Sequence, residues 1–405
     1  METIFTDGMW RIRFDMLQAA ALGAAMYWFG AWLRLKIPSL VKYSVPAPAV
    51  GGLVVAASTA FMQTRGIASV TFDGTLQAVF MTFFFCTVGM KASYKMIRKG
   101  ESKVAGFWAV SSLAAVLQNA VNIPIALRFG LHPLMGIIGG SVTMLGGLGT
   151  AGAFGTMFED EFGVTGALGA AMACATFGMV VGSVLGGPVG NWIIKTHKLA
   201  TPKAGSTPAL PIENDEHRVA DSQLLKTISW ILVIAGIGST FSYYLKMTGF
   251  TFPPYFCAML TAIAVRNIGD RTEWFAIDSK SVDMVGKIML GLFVTMAINS
   301  LQLAQLASLA LPLVMMMAAQ IVLIVASAYF LVFLALGKDY DSAVMACGLV
   351  GFGLGTTPNA LMCMQALTDK YSPSEKAFFV VPIVGVFLVD ISNITVIMAM
   401  TWLLR

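Results

Sequence analysis

Two glycine-rich turns hold most of the residues that could bind a small solute in this chain of 405 residues. The first reads Gly-Gly-Leu-Gly-Thr at 146–150, and the second reads Phe-Gly-Leu-Gly-Thr at 352–356, 206 residues further on. Glycine allows close approach to the backbone, and a helix that begins at such a turn points free N–H groups at an anion. Pro358 suits the first turn of such a helix. The turns therefore predict an anion site, whose candidate substrate-binding residues are Ser141, Thr143, Gly147, Gly149, Thr150, Gly353, Gly355, Thr356, Thr357 and Asn359.

A second group of candidates consists of polar side chains inside apolar segments, where they are costly unless they have partners. Na⁺ is typically held by hard oxygen atoms of this kind near the middle of a membrane. The predicted Na⁺ ligands are Gln118, Asn119, Asp390 and Asn393. Asp390 is the only carboxylate deep in a predicted span, and two other roles remain open for it. It could bond structurally to backbone amides, or pair with the ammonium group of a substrate.

The composition defines the class of protein in which these residues act. Hydrophobic residues make up 57% of the chain and charged residues only 12%, whereas soluble proteins carry about 25%. This composition excludes a soluble enzyme, a nucleic-acid-binding protein and a disordered chain, and it predicts an all-α polytopic membrane protein. The five cysteines lie in apolar segments without metal or disulfide spacing, so neither a zinc site nor a disulfide is expected.

Ten apolar segments are long enough to be membrane spans, which need about 20 residues each. They are 14–34, 47–64, 75–91, 103–128 and 164–194, followed by 224–246, 253–268, 284–304, 308–336 and 376–404. A stretch rich in Pro, Ser and charge at 196–223 separates the two sets of five and is predicted to be a cytoplasmic linker loop.

The basic residues predict the orientation of these spans. If the N-terminus lies outside and each span crosses once, 20 of the 26 Lys and Arg residues fall in inside loops. This distribution agrees with the positive-inside rule. Both termini are therefore predicted to face the periplasm of a bacterial inner membrane.

The two halves of the chain, 1–195 and 224–405, align with each other. Pro46-Ala47-Pro48 corresponds to Pro253-Pro254, and the glycine-rich turns correspond as well. Because each half has an odd number of spans, the second half is predicted to be inverted. The segments around the turns, 133–160 and 342–370, are predicted to be re-entrant hairpins. Tight helix packing would also explain single glycines, but two matched turns at equivalent places favour a binding site.

With these features the chain resembles the bacterial sodium/glutamate symporter family from about Tyr43 to Met400. The segments that carry the resemblance are VPAPAVGGL (45–53), GSVTMLGGLGT (140–150), MACATFGMVVGSVLGGPV (172–189), GFGLGTTPNA (351–360) and VVPIVGVFLVDISN (380–393). The resemblance implies Na⁺-coupled uptake of L-glutamate by a homodimer embedded in membrane lipid, with Na⁺ as the coupling ion. It also implies a scaffold part and a mobile transport part that moves like an elevator.

Three alternatives differ from this interpretation. Leu145 and Leu148 stand where the family often has Ser and His, so another carboxylate, such as a 2-hydroxycarboxylate, remains an alternative substrate. An intramembrane protease would need a second deep carboxylate or a Ser/His pair, so no enzyme activity is expected. Saturable, gradient-driven accumulation would distinguish a carrier from a passive channel.

Overall fold

The computed structural model describes residues 2–6, 9–42, 45–92, 102–199, 221–247, 253–272, 278–301, 303 and 309–404. Most of these residues are helical. The helices are α1 (Met16–Lys36), α2 (Pro38–Lys42), α3 (Ala47–Thr64), α4 (Thr75–Lys91), α5 (Ser102–Arg128), α6 (Pro133–Val142), α7 (Gly147–Asp160), α8 (Ala167–Thr196), α9 (Asp221–Met247), α10 (Pro254–Thr272), α11 (Ser279–Asn299), α12 (Ala310–Leu336), α13 (Tyr340–Gly353), α14 (Thr357–Lys370) and α15 (375–403). Wider π-helical turns interrupt α12 at Ala328–Phe333 and α15 at Val384–Leu388, and another ends α6.

Each of the ten predicted spans coincides with one helix. Among the described residues, six helices are long and apolar enough to cross a membrane by length and composition: α3, α5, α8, α9, α11 and α12. The other predicted spans fall on α1, α4, α10 and α15, which are shorter, less apolar or interrupted. A polytopic membrane protein is thus confirmed, while the number of crossings and their directions stay predictions. Most of the predicted linker, at 200–220, lies outside the described residues.

A small β-sheet corrects the prediction that the chain is entirely helical. Strands β1 (Glu2–Thr6), β2 (Met9–Phe14) and β3 (Ala68–Phe72) form one sheet in that order. β1 pairs with β2 in antiparallel orientation, and β2 pairs with β3 in parallel, with Trp10 opposite Ala68. Parallel strands need a long connection, here provided by the helices between β2 and β3. Such non-local pairing leaves little trace in the sequence.

The described helices form two compact units. Unit 1 comprises Met1–Leu33, Ala47–Lys99 and Glu213–Leu301, and unit 2 comprises Arg34–Pro46, Gly100–Ile212 and Gln302–Arg405. Each unit therefore draws on both halves of the sequence. Unit 1 contains α3 and α4 with α10 and α11, whereas unit 2 contains the glycine-rich turns of both halves.

Close helix packing through small residues holds unit 1 together. A Cβ atom added at Gly89 of α4 would lie 2.4 Å from the carbonyl oxygen of Met259 in α10. Cys86, Ala258 and Val285 belong to the buried apolar cluster that joins α4, α10 and α11. Helices in membranes commonly pack in this way, because small residues let their backbones approach.

In unit 2, α8 presents a stripe of glycines at every fourth position: Gly178, Gly182, Gly186 and Gly190. Added Cβ atoms would lie 2.3 Å from the carbonyl oxygen of Leu354 at the first of these positions and 2.9 Å from that of Gly351 at the second. At the other two they would touch Cys363 and Cys347. The stripe thus provides the surface against which α13 and α14 pack, and α8 thereby supports the second glycine-rich turn.

Candidate functional site

Both glycine-rich segments are helices broken at the predicted turns. In the first, α6 ends in a π-helical turn with non-helical dihedral angles at Gly140, and α7 begins at Gly147, whose φ is +64°. In the second, α13 ends at Gly353, and α14 begins at Thr357 with Pro358 in its first turn. The positive φ at Gly147 is a conformation that side chains other than glycine rarely adopt. The helix–turn–helix form is therefore observed, while re-entry into the membrane stays a prediction.

The two turns lie against each other within unit 2. A Cβ atom added at Gly147 would be 3.2 Å from Cγ2 of Thr356 and 3.5 Å from the carbonyl oxygen of Gly355. The first residue of α7 therefore lies beside the residue that precedes α14. No side chain among the described residues caps either N-terminus. Two helix N-termini, each the positive end of a helix dipole, thus meet at one point, which suits an anion. The N–H of Gly147 itself donates to the carbonyl oxygen of Thr143 at 3.2 Å.

The hydroxyl groups of the predicted substrate residues serve mainly to shape the turns. The hydroxyls of Thr143 and Thr150 donate to the carbonyl oxygens of Ile138 and Val142, at 2.7 and 2.6 Å. Both acceptors belong to the same hairpin as the donors. Each hydroxyl retains lone pairs but has no free proton to offer a carboxylate. Gly149 is buried in the first turn of α7.

The second turn is anchored to neighbouring helices by its own polar side chains. The hydroxyl of Thr357 donates to the carbonyl oxygen of Gly385 in the π-helical turn of α15, at 2.7 Å. The amide nitrogen of Asn359 donates to the carbonyl oxygen of Met179 in α8, at 2.9 Å. These bonds fix the start of α14 rather than reach outward.

Three of the predicted Na⁺ ligands make buried hydrogen bonds to the two broken helices, and two of them bond to Ser141. Asn119 pairs with Ser141 twice: its amide nitrogen donates to the hydroxyl at 3.0 Å, and its oxygen accepts from the backbone N–H at 2.8 Å. Asn393 donates to the carbonyl oxygen of Ser141 at 3.0 Å. Gln118 donates to the carbonyl oxygen of Gly353 at 2.8 Å. The structure therefore brings α5 and α15 together with both turns.

Asp390 lies on the same helix as Asn393, which belongs to this network. It is half-buried and is the second residue after the π-helical turn of α15, and Asn393 lies three residues further along the same helix face. Nearby, the hydroxyl of Ser112 donates to that of Ser392 at 2.9 Å. Asp390 is thus on the side of α15 that bears Asn393, although it is less buried than the sequence suggested.

Sequence reasoning missed Gln320, a fully buried residue of α12. Its amide nitrogen donates to the backbone carbonyl oxygen of Gln118 at 2.9 Å, which ties α12 to the network. A signal was available, because Gln320 is a polar residue within a long apolar run. Among the described residues, no three His, Cys, Asp or Glu side chains cluster to hold a metal ion.

An ion pair joins the first residue of a predicted span, Lys103, to Asp339 at the start of the second hairpin, which lies outside the spans. Asp339 caps α13 by accepting from the N–H of Ser342 at 2.8 Å, and Lys103 donates to its other oxygen at 3.2 Å. Partial burial alone would raise the pKa of Asp339. The hydrogen bonds from Ser342 and the charge of Lys103 outweigh that effect, so the pKa of Asp339 lies below its ordinary value.

Helices broken near buried polar groups, with their N-termini turned toward one point, are typical of secondary transporters. The fold and site thus define a polytopic membrane protein of the transporter type. The model of the family described as Sodium/glutamate symporter matches residues 12–373, so the chain belongs to the sodium/glutamate symporter family. This confirms the resemblance seen in the sequence motifs, and the family is one of transporters rather than enzymes.

Relatives of known name agree with this assignment. A sodium/glutamate symporter of Escherichia coli (strain K12) is 36% identical over 386 residues, which cover 95% of this chain and 96% of the relative. The sodium/glutamate symporter of Shigella flexneri gives the same values. That of Haemophilus influenzae is 34% identical over 394 residues, which cover 94% of this chain and 95% of the relative.

Proposed function

We propose that this protein takes up L-glutamate together with Na⁺ across a bacterial inner membrane. The observation that carries the proposal is the meeting of two uncapped helix N-termini beside Gly147 and Thr356. A carboxylate of the substrate would accept N–H bonds from the first turns of α7 and α14. Membership of the sodium/glutamate symporter family supports the choice of substrate and ion.

The substrate-binding residues have two kinds of role in this proposal. The backbone around Gly147, Gly149, Gly353 and Gly355 contacts the substrate directly, because glycine leaves room for it. The threonines and Asn359 hold the turns in shape, through hydrogen bonds to neighbouring backbone carbonyls. Thr356 precedes α14 with extended backbone, and its methyl carbon Cγ2 lies beside Gly147 of the opposite turn, so this residue would contact a substrate bound between the turns.

For Na⁺, oxygen atoms of Gln118, Asn393 and Asp390 are the proposed ligands. Asn119 uses both its oxygen and its nitrogen on Ser141, so it positions the first hairpin instead of binding the ion. Asp390 supplies the negative charge, either to Na⁺ or to the ammonium group of glutamate. The helix N-termini would hold a carboxylate of the substrate and the co-transported Na⁺ would offset its charge, so no deep Lys or Arg is needed.

We also propose the topology and motion that the sequence predicts. Both termini face the periplasm, the two halves form an inverted repeat, and the hairpins re-enter the membrane from opposite sides. Unit 2 contains both turns and the whole polar network, which supports its role as the mobile part of an elevator-type carrier. Unit 1 would be the scaffold of a homodimer surrounded by lipid.

Uptake of labelled glutamate into proteoliposomes, with and without an inward Na⁺ gradient, tests the proposal. Accumulation is expected only with the gradient, and equal uptake in both conditions would refute the coupling. Asp390→Asn is expected to impair transport strongly in a protein that still folds, whereas Thr395→Val, which removes an exposed hydroxyl from the same helix, should not. Competition by citrate and malate tests the alternative substrate class: if they displace glutamate efficiently, the carrier is specific for another carboxylate.

A further inference from the structure

Three buried amide side chains of unit 2 share one bonding pattern. Gln118, Gln320 and Asn393 are each fully buried, and each donates its NH₂ group to a backbone carbonyl oxygen. In each, the side-chain oxygen (Oε1 of the two glutamines and Oδ1 of Asn393) has no hydrogen-bond partner among the residues that the structure describes. The acceptors fix which end of each amide is nitrogen, because a carbonyl oxygen can only accept.

Buried oxygen atoms without partners are unusual, since nearly all buried polar groups are satisfied in folded proteins. Three of them in one connected network indicate that something electropositive binds there. Gln320 reaches the backbone of Gln118 directly, and the neighbouring Asn119 joins Ser141, to which Asn393 also bonds. The three residues thus belong to one continuous structure, although they come from α5, α12 and α15.

The chemistry of these groups favours a monovalent metal cation. Amide oxygens are hard, neutral ligands, and they are not protonated near neutral pH, so they bind Na⁺ without binding a proton. A divalent cation would call for several carboxylates, and no cluster of three acidic, His or Cys side chains occurs in the described part of the chain.

We infer that Gln320 is a ligand of the coupling cation, and that Gln118, Gln320 and Asn393 bind Na⁺ through their oxygens while their NH₂ groups hold the backbone of the site. This inference rests on the proposed Na⁺-coupled function. It adds α12 to the cation site and assigns the same two roles, Na⁺ binding and backbone support, to all three amide side chains.

The same arrangement explains how the ion can affect the substrate. Gln118 holds the carbonyl of Gly353 at the second turn, and Asn393 holds the carbonyl of Ser141 in the first hairpin. A cation on an amide oxygen polarises the amide and strengthens the bonds that its NH₂ group donates. Na⁺ therefore stabilises both turns in the position where their helix N-termini meet, and this raises the affinity for a carboxylate.

Gln320→Met tests the inference, because Met keeps the length of the side chain and removes its oxygen. The matched control is Ser111→Ala, which removes a buried polar group of α5 that bonds only to its own helix. Two measurements are made on purified protein and proteoliposomes: thermal stabilisation by NaCl relative to choline chloride without glutamate, and the Na⁺ concentration for half-maximal glutamate uptake. For Gln320→Met, Na⁺ stabilisation should be lost, and the half-maximal Na⁺ concentration should rise by at least about tenfold, the effect typical of groups around a metal site.

A second variant, Gln320→Glu, keeps an oxygen ligand and adds a titratable group. Its half-maximal Na⁺ concentration should become more dependent on pH between 5 and 8 than that of the wild type, because at this position a carboxyl group can exchange Na⁺ for a proton, whereas an amide cannot. This readout remains available if Gln320→Met does not fold.

The outcomes separate the inference from the proposed function. If wild-type uptake needs no Na⁺, the proposed function fails. If wild-type uptake needs Na⁺ but Gln320→Met responds to Na⁺ like Ser111→Ala, the function stands and Gln320 is not a ligand. An unchanged pH dependence in Gln320→Glu also contradicts the inference.

Discussion

Alanine at Gly178 is expected to disturb both glycine-rich turns at once. Gly178 lies in α8, and its added Cβ atom would be 2.3 Å from the carbonyl oxygen of Leu354 and 2.9 Å from Cε of Met144. Leu354 directly follows α13, and Met144 lies just before α7. One methyl group therefore pushes against the backbone of the second turn and a side chain of the first.

The size of the effect follows from these distances. The Leu354 carbonyl would have to retreat by about 0.7 Å to reach an acceptable contact, and overpacking of a close-packed interior costs about 1–3 kcal/mol. Replacing Gly by Ala in a helix also gains about 1 kcal/mol of helix propensity. Gly187→Ala, in the same helix, isolates that gain, because no heavy atom of the described residues lies within 4 Å of its added Cβ. The two variants should therefore differ in stability by about 1–3 kcal/mol.

Thermal unfolding in detergent, followed by tryptophan fluorescence, measures this difference. Gly178→Ala should unfold at a lower temperature than Gly187→Ala, and its apparent KM for glutamate should be higher. Gly187→Ala should transport like the wild type. A Gly178→Ala protein that is as stable as Gly187→Ala and binds glutamate normally would refute the supporting role of the glycine stripe.

Three further predictions concern the turns and the hairpin base. Gly147→Ala should cost about 1–2 kcal/mol from its positive φ and should weaken glutamate binding. Gly163→Ala, whose φ is also positive but whose added Cβ meets no described atom, should lose only stability in the same assays. Thr357→Val should raise the KM for glutamate, because the hydrogen bond to the π-helical turn is worth about 1 kcal/mol, whereas Thr395→Val leaves the KM unchanged. Because the pKa of Asp339 is lowered in the folded state, its ionised carboxylate adds to the free energy of unfolding at pH values above the ordinary aspartate pKa of about 3.9. This contribution is lost as the pH falls through the lowered pKa. Asp339→Asn should therefore lower the melting temperature at neutral pH, and the melting temperature of this variant should fall less steeply in acid than that of the wild type. If the melting temperature depends on pH in the same way in both proteins, Asp339 does not have this stabilising role.

Much of the architecture could be predicted from local properties of the sequence. Hydrophobic runs mark helices because a span must be apolar along its whole length, and all ten predicted segments coincide with helices. Glycines mark helix breaks because they tolerate unusual backbone angles, and the break at Gly147 is of this kind. The membership of a symporter family was equally accessible, since motifs such as GFGLGTTPNA are stretches of contiguous sequence.

The partners of individual polar groups could not be predicted in this way. The sequence predicted that Thr150 contacts the substrate, yet its hydroxyl donates to the carbonyl oxygen of Val142 within the same hairpin. Asn119 suggested a cation ligand, but both ends of its amide bond to Ser141. Each outcome depends on which backbone carbonyl or N–H happens to lie within reach, and residue type does not encode that distance.

By itself, the sequence determined that this is a helical membrane protein with two matched breaks, because hydrophobicity and backbone freedom are properties of single residues and their neighbours. Only the tertiary structure decided that Gly147 meets Thr356, that Gln320 joins the network, and that its amide oxygen remains without a described partner. These features arise between residues about 200 positions apart, brought together by helix packing. The physical reason is that a hydrogen bond or close contact depends on distance in space, which packing alone sets.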